Sequence, residues 1–212
     1  MKGWRRRRPS RGWGPAGRGA RAIDGPQRYR SFERGVIIWV STRNRAPLTK
    51  EDPMAAKADA LAKQFEAKVQ EATGVLERLS DADWKKTTSS EKWTVGVVAH
   101  HLAGAHEGIA GIIKAVAAGQ SMGNFTMQML HDMNAKHAQE HAGATKAETI
   151  ALHKKSATAA AAVVRGLSDA DLGKSGTVLA GMPSMSVEQV IGGILLNHID
   201  EHLKSIRATT NV

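Results

Sequence analysis

The last part of the chain carries an apolar helical stripe that two histidines interrupt. Apolar residues recur at every third or fourth position, the period of an α-helix, and they are Val187, Val190, Ile191, Ile194, Leu195 and Ile206. His198 and His202 fall on the same face, one turn apart, with Cβ atoms about 5–6 Å from each other. Two imidazoles at this spacing can bind one metal ion. An isolated pair of this kind is more often exposed, but the apolar neighbours favour a metal site here.

The rest of the chain from residue 54 onward is also predicted to be helical. Four long helices are expected, at residues 55–79, 94–118 and 145–165 and from residue 186 onward. The last three open on hydroxyl side chains that are typical N-caps, which are Thr94, Thr145 and Ser186. No stretch alternates apolar and polar residues as a half-buried strand does. The fold class is therefore predicted to be all-α.

An internal repeat organises these helices into two halves. The segment LSDADW at residues 79–84 recurs as LSDADL at residues 167–172, and each copy is followed by a loop and an apolar helix. Residues 119–144 link the halves and contain a predicted short helix at residues 125–141. A link of this length can run along a bundle, so the pattern predicts a four-helix bundle with a long crossover between helices 2 and 3.

The charge of the chain is concentrated at one end. Residues 1–53 carry 14 Lys and Arg against 4 Asp and Glu, whereas residues 54–212 carry 16 of each sign. A domain with balanced charge has no electrostatic reason to bind nucleic acid or an anionic membrane. The chain also has no Cys, which excludes disulfides, thiolate zinc sites and a cysteine nucleophile. We expect a cytoplasmic protein, in keeping with a reducing compartment.

Residues 1–53 are rich in Arg, Gly and Pro and are predicted to be a disordered basic extension of the domain at residues 54–212. Three interpretations are open for this extension. It could be a nucleic-acid-binding arm, an organelle-targeting peptide, or a segment that does not belong to the native protein, and we favour the third. Its only continuous apolar run, residues 36–40, is too short for a secretory signal or a membrane span.

A third histidine is a candidate to join His198 and His202. On the second predicted helix, His101 lies roughly 70° from the centre of the apolar stripe, whereas His100 lies roughly 170° away. His101 is therefore the candidate metal ligand and His100 a candidate surface residue.

The remaining histidines and the methionines are expected to be structural. His137 and His141 form another pair one turn apart, but in polar surroundings, so exposure is predicted, with a role at the mouth of a pocket as the alternative. Three histidines have no partner at the spacing of metal ligands, and they are His106, His131 and His153. Each is interpreted as a surface side chain or as a satisfied one, whose ring nitrogens have hydrogen-bond partners. The methionines of residues 127–133 are predicted to pack between helices.

Two motifs carry a resemblance to a known family. WTVGVVAHHL at residues 93–102 and NHIDEHL at residues 197–203 resemble the DinB-like four-helix metalloproteins, a group similar to bacillithiol- and mycothiol-dependent transferases and to mycothiol-dependent maleylpyruvate isomerase. The resemblance spans about residues 54–208. It implies an up-down-down-up bundle in which His101, His198 and His202 bind one divalent metal. These are the same residues that the helical angles select.

The resemblance also implies a chemistry. Three neutral imidazoles leave an open position on the ion, which can activate water or hold a thiol as thiolate. Zn²⁺ is the expected metal, and imidazole ligands also suit Ni²⁺, Fe²⁺ or Mn²⁺. Without Cys, a thiol would be a small cofactor such as mycothiol or bacillithiol. We expect a thiol S-transferase or a hydrolase that acts on a small-molecule substrate, in a chain that can form a homodimer.

Two other functions are kept open from the residues alone. A bundle of this kind can be a non-catalytic binding or structural module, or the Arg-rich arm can bind nucleic acid. A carboxylate is expected to accept a hydrogen bond from the ring nitrogen of a metal-binding histidine that does not contact the metal. Asn197, Asp200 and Glu201 are near in sequence, but neighbours one or two positions away on a helix face elsewhere, so none of them is favoured.

Overall fold

The computed structural model describes residues 56–212. The predicted basic extension at residues 1–53 and the start of the predicted domain therefore lie outside the described residues. The helices are α1 (Ala56–Arg78), α2 (Asp81–Trp84), α3 (Val95–Ala117), α4 (Met127–Glu140), α5 (Lys146–Arg165), α6 (Asp169–Gly173), α7 (Val187–Val190) and α8 (Asn197–Thr210). A π-helix at Ile191–Leu196 joins α7 to α8, so these three segments form one continuous final helix.

Four long helices form a bundle whose core is apolar, which confirms the predicted fold class. Side chains that are fully removed from solvent come from all four, and they include Phe65, Leu76, Leu102, Ile113, Val164, Ile191 and Ile206. The predicted caps are also confirmed, because the hydroxyl groups of Thr94, Thr145 and Ser186 each accept a hydrogen bond from a backbone N–H of the first helical turn. Local sequence thus sets the helix ends, and burial of the apolar faces holds the helices together.

Ion pairs establish how α1 runs relative to its neighbours. Lys57 pairs with Glu188 at 2.8 Å and Glu71 with Arg207 at 2.8 Å, so α1 is parallel to the final helix. Near its start, α1 contacts the end of α5 through the guanidinium of Arg165, which lies 3.1 Å from a carboxylate oxygen of Asp59. Near its end, α1 contacts the middle of α5, so α1 and α5 are antiparallel.

Contacts at the two ends of α3 give its direction. At its start, the Trp84 indole lies against Gly96 and donates a hydrogen bond to the carbonyl of Ala144, which comes just before α5. At its end, the carbonyl of Ala117 accepts a hydrogen bond from Lys174, which follows α5. The helices α3 and α5 are therefore parallel, and the four long helices run up, down, down and up. This order confirms the predicted topology.

The crossover and the repeat also match the sequence prediction, with one addition. The connection between α3 and α5 contains α4, whose last turn returns to the beginning of α3, so the link runs along the bundle. The repeated segments form α2 and α6, and both begin with a capping box. A short antiparallel pairing of Ser175–Gly176 with Met185–Ser186 was not predicted, because two-residue strands are too short to show alternation.

We expect Gly96→Ala to destabilise the protein. A Cβ at this position would lie 2.7 Å from Cε2 of Trp84, so the indole would have to move and weaken its hydrogen bond to Ala144. Overpacking of this kind costs about 1–3 kcal/mol. Thermal unfolding monitored by circular dichroism measures the change.

Gly108→Ala is the matched control on the same helix. No atom lies within 4 Å of a Cβ built at Gly108. Alanine is a better helix former than glycine, so this variant should be more stable than the parent by about 0.5–1 kcal/mol. Equal effects of the two substitutions would contradict the role assigned to the contact with Trp84.

Candidate metal centre

Three histidines from two helices bring their ring nitrogens together near one end of the bundle. The Nε2 atom of His198 lies 3.2 Å from Nε2 of His101 and 3.1 Å from Nε2 of His202. The ring centroids are farther apart, at 4.4–5.1 Å, so the rings meet through their nitrogen-bearing edges. The structure therefore brings together the three side chains that the sequence predicted as metal ligands. They form a group that could hold a metal ion.

The helices that carry the three rings are shaped locally by their sequences. Thr94 caps α3, which sets the start of the helix two turns before His101. The π-helix directly precedes α8 and contains Gly192 and Gly193. A π-turn accommodates an extra residue and rotates the helix beyond it, and such turns are frequent at functional sites. Its presence was not predicted, and it leaves Ile194 only partly buried although the predicted stripe included it.

A carboxylate outside the two helices holds one of the rings. Oε1 of Glu91, in the loop before α3, lies 2.9 Å from Nδ1 of His202, and its Oε2 accepts a 2.6 Å hydrogen bond from Ser205. Burial acts to raise the pKa of Glu91, but hydrogen bonds from Ser205, Thr88 and His202 outweigh it and the pKa is lowered. The ionised carboxylate accepts the Nδ1–H of His202, and this hydrogen bond leaves Nε2 as the nitrogen that can bind a metal ion.

The other two rings of the group are kept neutral. Burial, with the nearby His202 as the next cause, lowers the pKa of His101 to about 4 and that of His198 to about 2. Both imidazoles are therefore uncharged at neutral pH, which is the form that binds metal ions. Within residues 56–212, Nδ1 of His198 is buried and has no hydrogen-bond partner.

Aromatic side chains surround His101. Trp93 contacts it edge to face with ring centroids 5.6 Å apart, and His137 of α4 does so at 5.3 Å. These contacts restrict the orientation of the ring. They also show that the crossover reaches the histidine group.

A second histidine group lies beside the first, and its members contradict two predictions. His100 was expected at the surface and His137 and His141 on a solvated helix, yet all three are partly buried against one another. Burial, followed by the neighbouring rings, lowers the pKa of His137 to about 4. The predictions were wrong because α4 covers the side of α3 that the apolar stripe leaves free. The alternative, a role of His137 and His141 at the mouth of a pocket, stays a prediction.

Two more histidines form a buried pair. His106 and His153 are fully buried, with Nε2 of the first 3.1 Å from Nδ1 of the second. Nε2 of His153 lies 3.4 Å from the carbonyl of Val69. His153 thus donates to the carbonyl and accepts from His106, whereas Nδ1 of His106 is buried and has no hydrogen-bond partner within residues 56–212. The prediction of a satisfied side chain is therefore confirmed for His153 only. His131 is exposed, in agreement with the surface alternative.

The acidic and amide neighbours of the C-terminal pair point away from it, as expected. Asn197 donates a 2.9 Å hydrogen bond to Glu201, and Asp200 accepts a 2.7 Å hydrogen bond from Lys68. The supporting carboxylate is Glu91 instead, which sequence reasoning missed. The only signal was its position shortly before the WT motif of α3, and nothing in a single sequence connects that loop to α8.

A groove on the described part of the bundle lies elsewhere. It runs between α1 and α5 and is lined by residues that include Glu66, Thr73, Glu77, Lys154 and Arg165. None of its lining residues is a histidine. The groove therefore contains none of the predicted metal ligands.

The helix directions and the histidine positions define a DinB-like four-helix bundle. Residues 65–191 match the family of the mycothiol maleylpyruvate isomerase N-terminal domain. This match covers more than half of the chain, so the protein belongs to that family. No curated protein sequence matches this chain. No helix within residues 56–212 is both long enough and apolar enough to cross a membrane.

Two solved structures share the fold. YfiT from Bacillus subtilis, a probable metal-dependent hydrolase with an unusual four-helix bundle topology, aligns with a TM-score of 0.57 at 18% identity, over 74% of this chain and 86% of that chain. The mycothiol-dependent maleylpyruvate isomerase aligns with a TM-score of 0.57 at 11% identity, over 72% of this chain and 60% of that chain. At these identities the likeness establishes the fold.

We expect Glu91→Gln to weaken metal binding at the group of His101, His198 and His202 by about 10–100-fold, because the His202 ring loses the charged acceptor that orients it. Competition with a chromogenic chelator measures the affinity. Glu201→Gln is the matched control, since Glu201 is on the same helix as His202 but contacts Asn197. An unchanged affinity in Glu91→Gln would contradict this role.

We also expect the metal-free protein to lose stability as the pH falls from about 6.5 toward 4. Burial lowers the pKa of His106 to about 3. Between these values the unfolded chain binds a proton that the folded chain does not, so the free energy of unfolding decreases with decreasing pH. Above about pH 6.5 both states are neutral and the contribution is fully present.

Urea unfolding between about pH 4.5 and 7, with a chelator present, measures this dependence. The double variant His106→Leu with His153→Leu removes both buried rings and should show a shallower dependence on pH. His131→Ala, which changes an exposed histidine, should behave as the parent does. A double variant with the parent's dependence would show that the buried pair is not responsible.

Proposed function

We propose that this protein is a divalent-metal-dependent enzyme and that His101, His198 and His202 bind the ion. The observation that carries the proposal is that Nε2 of His198 lies 3.2 Å from Nε2 of His101 and 3.1 Å from Nε2 of His202. Two nitrogen ligands of a tetrahedral ion with bonds of about 2.0–2.1 Å are roughly 3.3 Å apart. The spacing of these atoms is close to that value.

Two well-directed hydrogen bonds among the rings do not account for this spacing, because both contacts go to Nε2 of His198. In the neutral form of the His202 ring the proton is on Nδ1, where Glu91 accepts it, so Nε2 of that form can only accept. If Nε2 of His198 donates to His202, it has no lone pair left to accept from His101. Either one N–H of His198 is shared between the two contacts, or one of the contacts places like groups together. A cation bound between the three lone pairs removes that conflict.

A divalent ion at this group supplies a Lewis acid that lowers the pKa of a water or thiol bound to it. The residues of the chain set its environment. Neutral imidazoles leave the positive charge of the ion uncompensated, and Glu91 with Ser205 fixes the orientation of His202. Trp93 and His137 pack against His101 and restrict the approach of solvent.

Transfer of a low-molecular-weight thiol to a small electrophile is the reaction that we favour. The family to which the chain belongs is named for mycothiol-dependent chemistry, and one structural relative is a mycothiol-dependent isomerase. The chain has no Cys, so a reacting thiol would come from a small molecule such as mycothiol or bacillithiol. Zn²⁺ is the favoured ion, and Ni²⁺, Fe²⁺ and Mn²⁺ are compatible with imidazole ligands.

Hydrolysis of a small substrate is the second candidate, and a specific observation favours it. The alignment spans 86% of YfiT, a probable metal-dependent hydrolase, but only 60% of the mycothiol-dependent isomerase. The chain thus matches a single bundle better than the longer protein. Both candidates act on small molecules, and we propose a cytoplasmic location for either.

Metal content and two activity assays on the full chain test the proposal. Elemental mass spectrometry should show that His202→Ala and His198→Ala each bind one equivalent of divalent metal less than the parent. Consumption of mycothiol or bacillithiol with a panel of electrophiles, and ester or amide hydrolysis without thiol, distinguish the two reactions. Each variant should lose about 100-fold or more in turnover, because loss of a ligand should cost at least as much as loss of the partner that orients a ligand, about 10–100-fold.

His131→Ala is the control for the loss of a histidine, because this residue is exposed on α4. It should keep both the metal and the activity of the parent. Metal binding without turnover in either assay would contradict the proposed enzymatic activity and would favour a non-catalytic binding module. The same metal content in His202→Ala and the parent would overturn the assignment of the ligands.

A further inference from the structure

We propose that His100, His137 and His141 form a second binding site for a divalent transition-metal ion, which joins the crossover helix α4 to α3. One nitrogen from each ring lies within 4.8 Å of the other two, a spacing at which they could hold one ion. Nδ1 of His100 and Nε2 of His137 are already 3.3 Å apart. Imidazole is a good ligand for Zn²⁺, Ni²⁺, Cu²⁺ and Fe²⁺.

The way in which α4 lies on the bundle supports a binding role for these rings. None of the side chains of α4 is fully buried. The three methionines of α4 are roughly half exposed, at 46% for Met127, 47% for Met129 and 58% for Met133, so the prediction that they pack between helices was wrong. A helix that docked only to bury apolar surface would turn these methionines inward. Instead, its last turns direct His137 and the adjacent His141 toward His100 of α3.

The two histidine groups differ in how their rings are supported. Glu91 holds His202 in the first group. In the second, no carboxylate within residues 56–212 accepts a hydrogen bond from any of the three rings, and the His100 and His141 rings stack with centroids 3.9 Å apart. Loss of such a partner weakens metal sites by about 10–100-fold. We therefore expect the second site to fill after the first.

Occupation of the second site has a structural consequence. His137 belongs to the second group and contacts His101 of the first, with ring centroids 5.3 Å apart. An ion shared by α3 and α4 would hold the end of the crossover in place beside the first group. The second site thus acts as a clamp on α4, and its ligands are different residues from the three proposed ligands of the first site.

Titration of the metal-free full chain with Zn²⁺, followed by calorimetry and elemental mass spectrometry, tests this inference. The parent should bind two equivalents, the second about 10–100-fold more weakly than the first. His141→Ala should lose the weaker equivalent only, and His202→Ala should lose the tighter one only. His131→Ala, which changes an exposed histidine of the same helix, should bind two equivalents.

Hydrogen exchange adds a measurement that does not depend on activity. The second equivalent of Zn²⁺ should slow amide exchange in residues 127–141 of the parent and of His202→Ala, but not of His141→Ala. A single equivalent in the parent that His202→Ala removes, or two equivalents in His141→Ala, would overturn the second site. A single equivalent that His141→Ala removes and His202→Ala keeps would uphold the second site and refute the proposed ligands of the first.

Discussion

Three imidazole edges packed against one another near one end of the bundle are the constraint on which the rest of the site depends. A neutral ring has one N–H and one lone pair, so Nε2 of His198 has a single proton or a single lone pair for its two contacts, with His101 and His202. Nδ1 of His198 is buried and has no hydrogen-bond partner within residues 56–212. Buried polar atoms without partners cost free energy. This unfavourable term arises where α3 and the final helix approach each other, at the three residues proposed to bind the metal ion.

The support for this group comes from outside the helices that carry it. Glu91 is in the loop before α3, yet it contacts His202 and Ser205 of α8. The loop is itself fixed by Thr88, which is buried and hydrogen-bonded to the carbonyl of Trp93. The orientation of one ring therefore depends on a short stretch of irregular chain. Such stretches position functional side chains in many folds because the helices around them are rigid.

Histidine has a wider structural role in this domain than a single site requires. All nine histidines lie within the described residues, and each except His131 contacts another histidine. The rings form an almost continuous series from α4 through α3 to α8, with the pair of His106 and His153 buried in the core. Contacts between rings of neutral histidines combine apolar packing with directed lone pairs. This combination lets a crossover helix with few apolar contacts lie against the bundle.

The sequence alone determined the features that depend on local chemistry. The helices, their Ser and Thr caps and the two capped turns of the internal repeat follow from residues within a few positions of one another. The choice of His101, His198 and His202 also followed, because the helical period orients side chains along one face and the resemblance pointed to the same residues. Their role as metal ligands stays a prediction, whereas their proximity is a property of the fold.

Only the tertiary structure decided what covers each face. His100 lies opposite the apolar stripe, and it is partly buried because α4 packs there, a contact between residues 37 or more positions apart. Glu91 reaches His202 across 111 positions, and His106 reaches His153 across 47. The π-helix before His198 likewise shifts the angular phase that a regular period assumes. Periodicity describes one helix at a time, so contacts set by the packing of distant segments become visible only once the chain has folded.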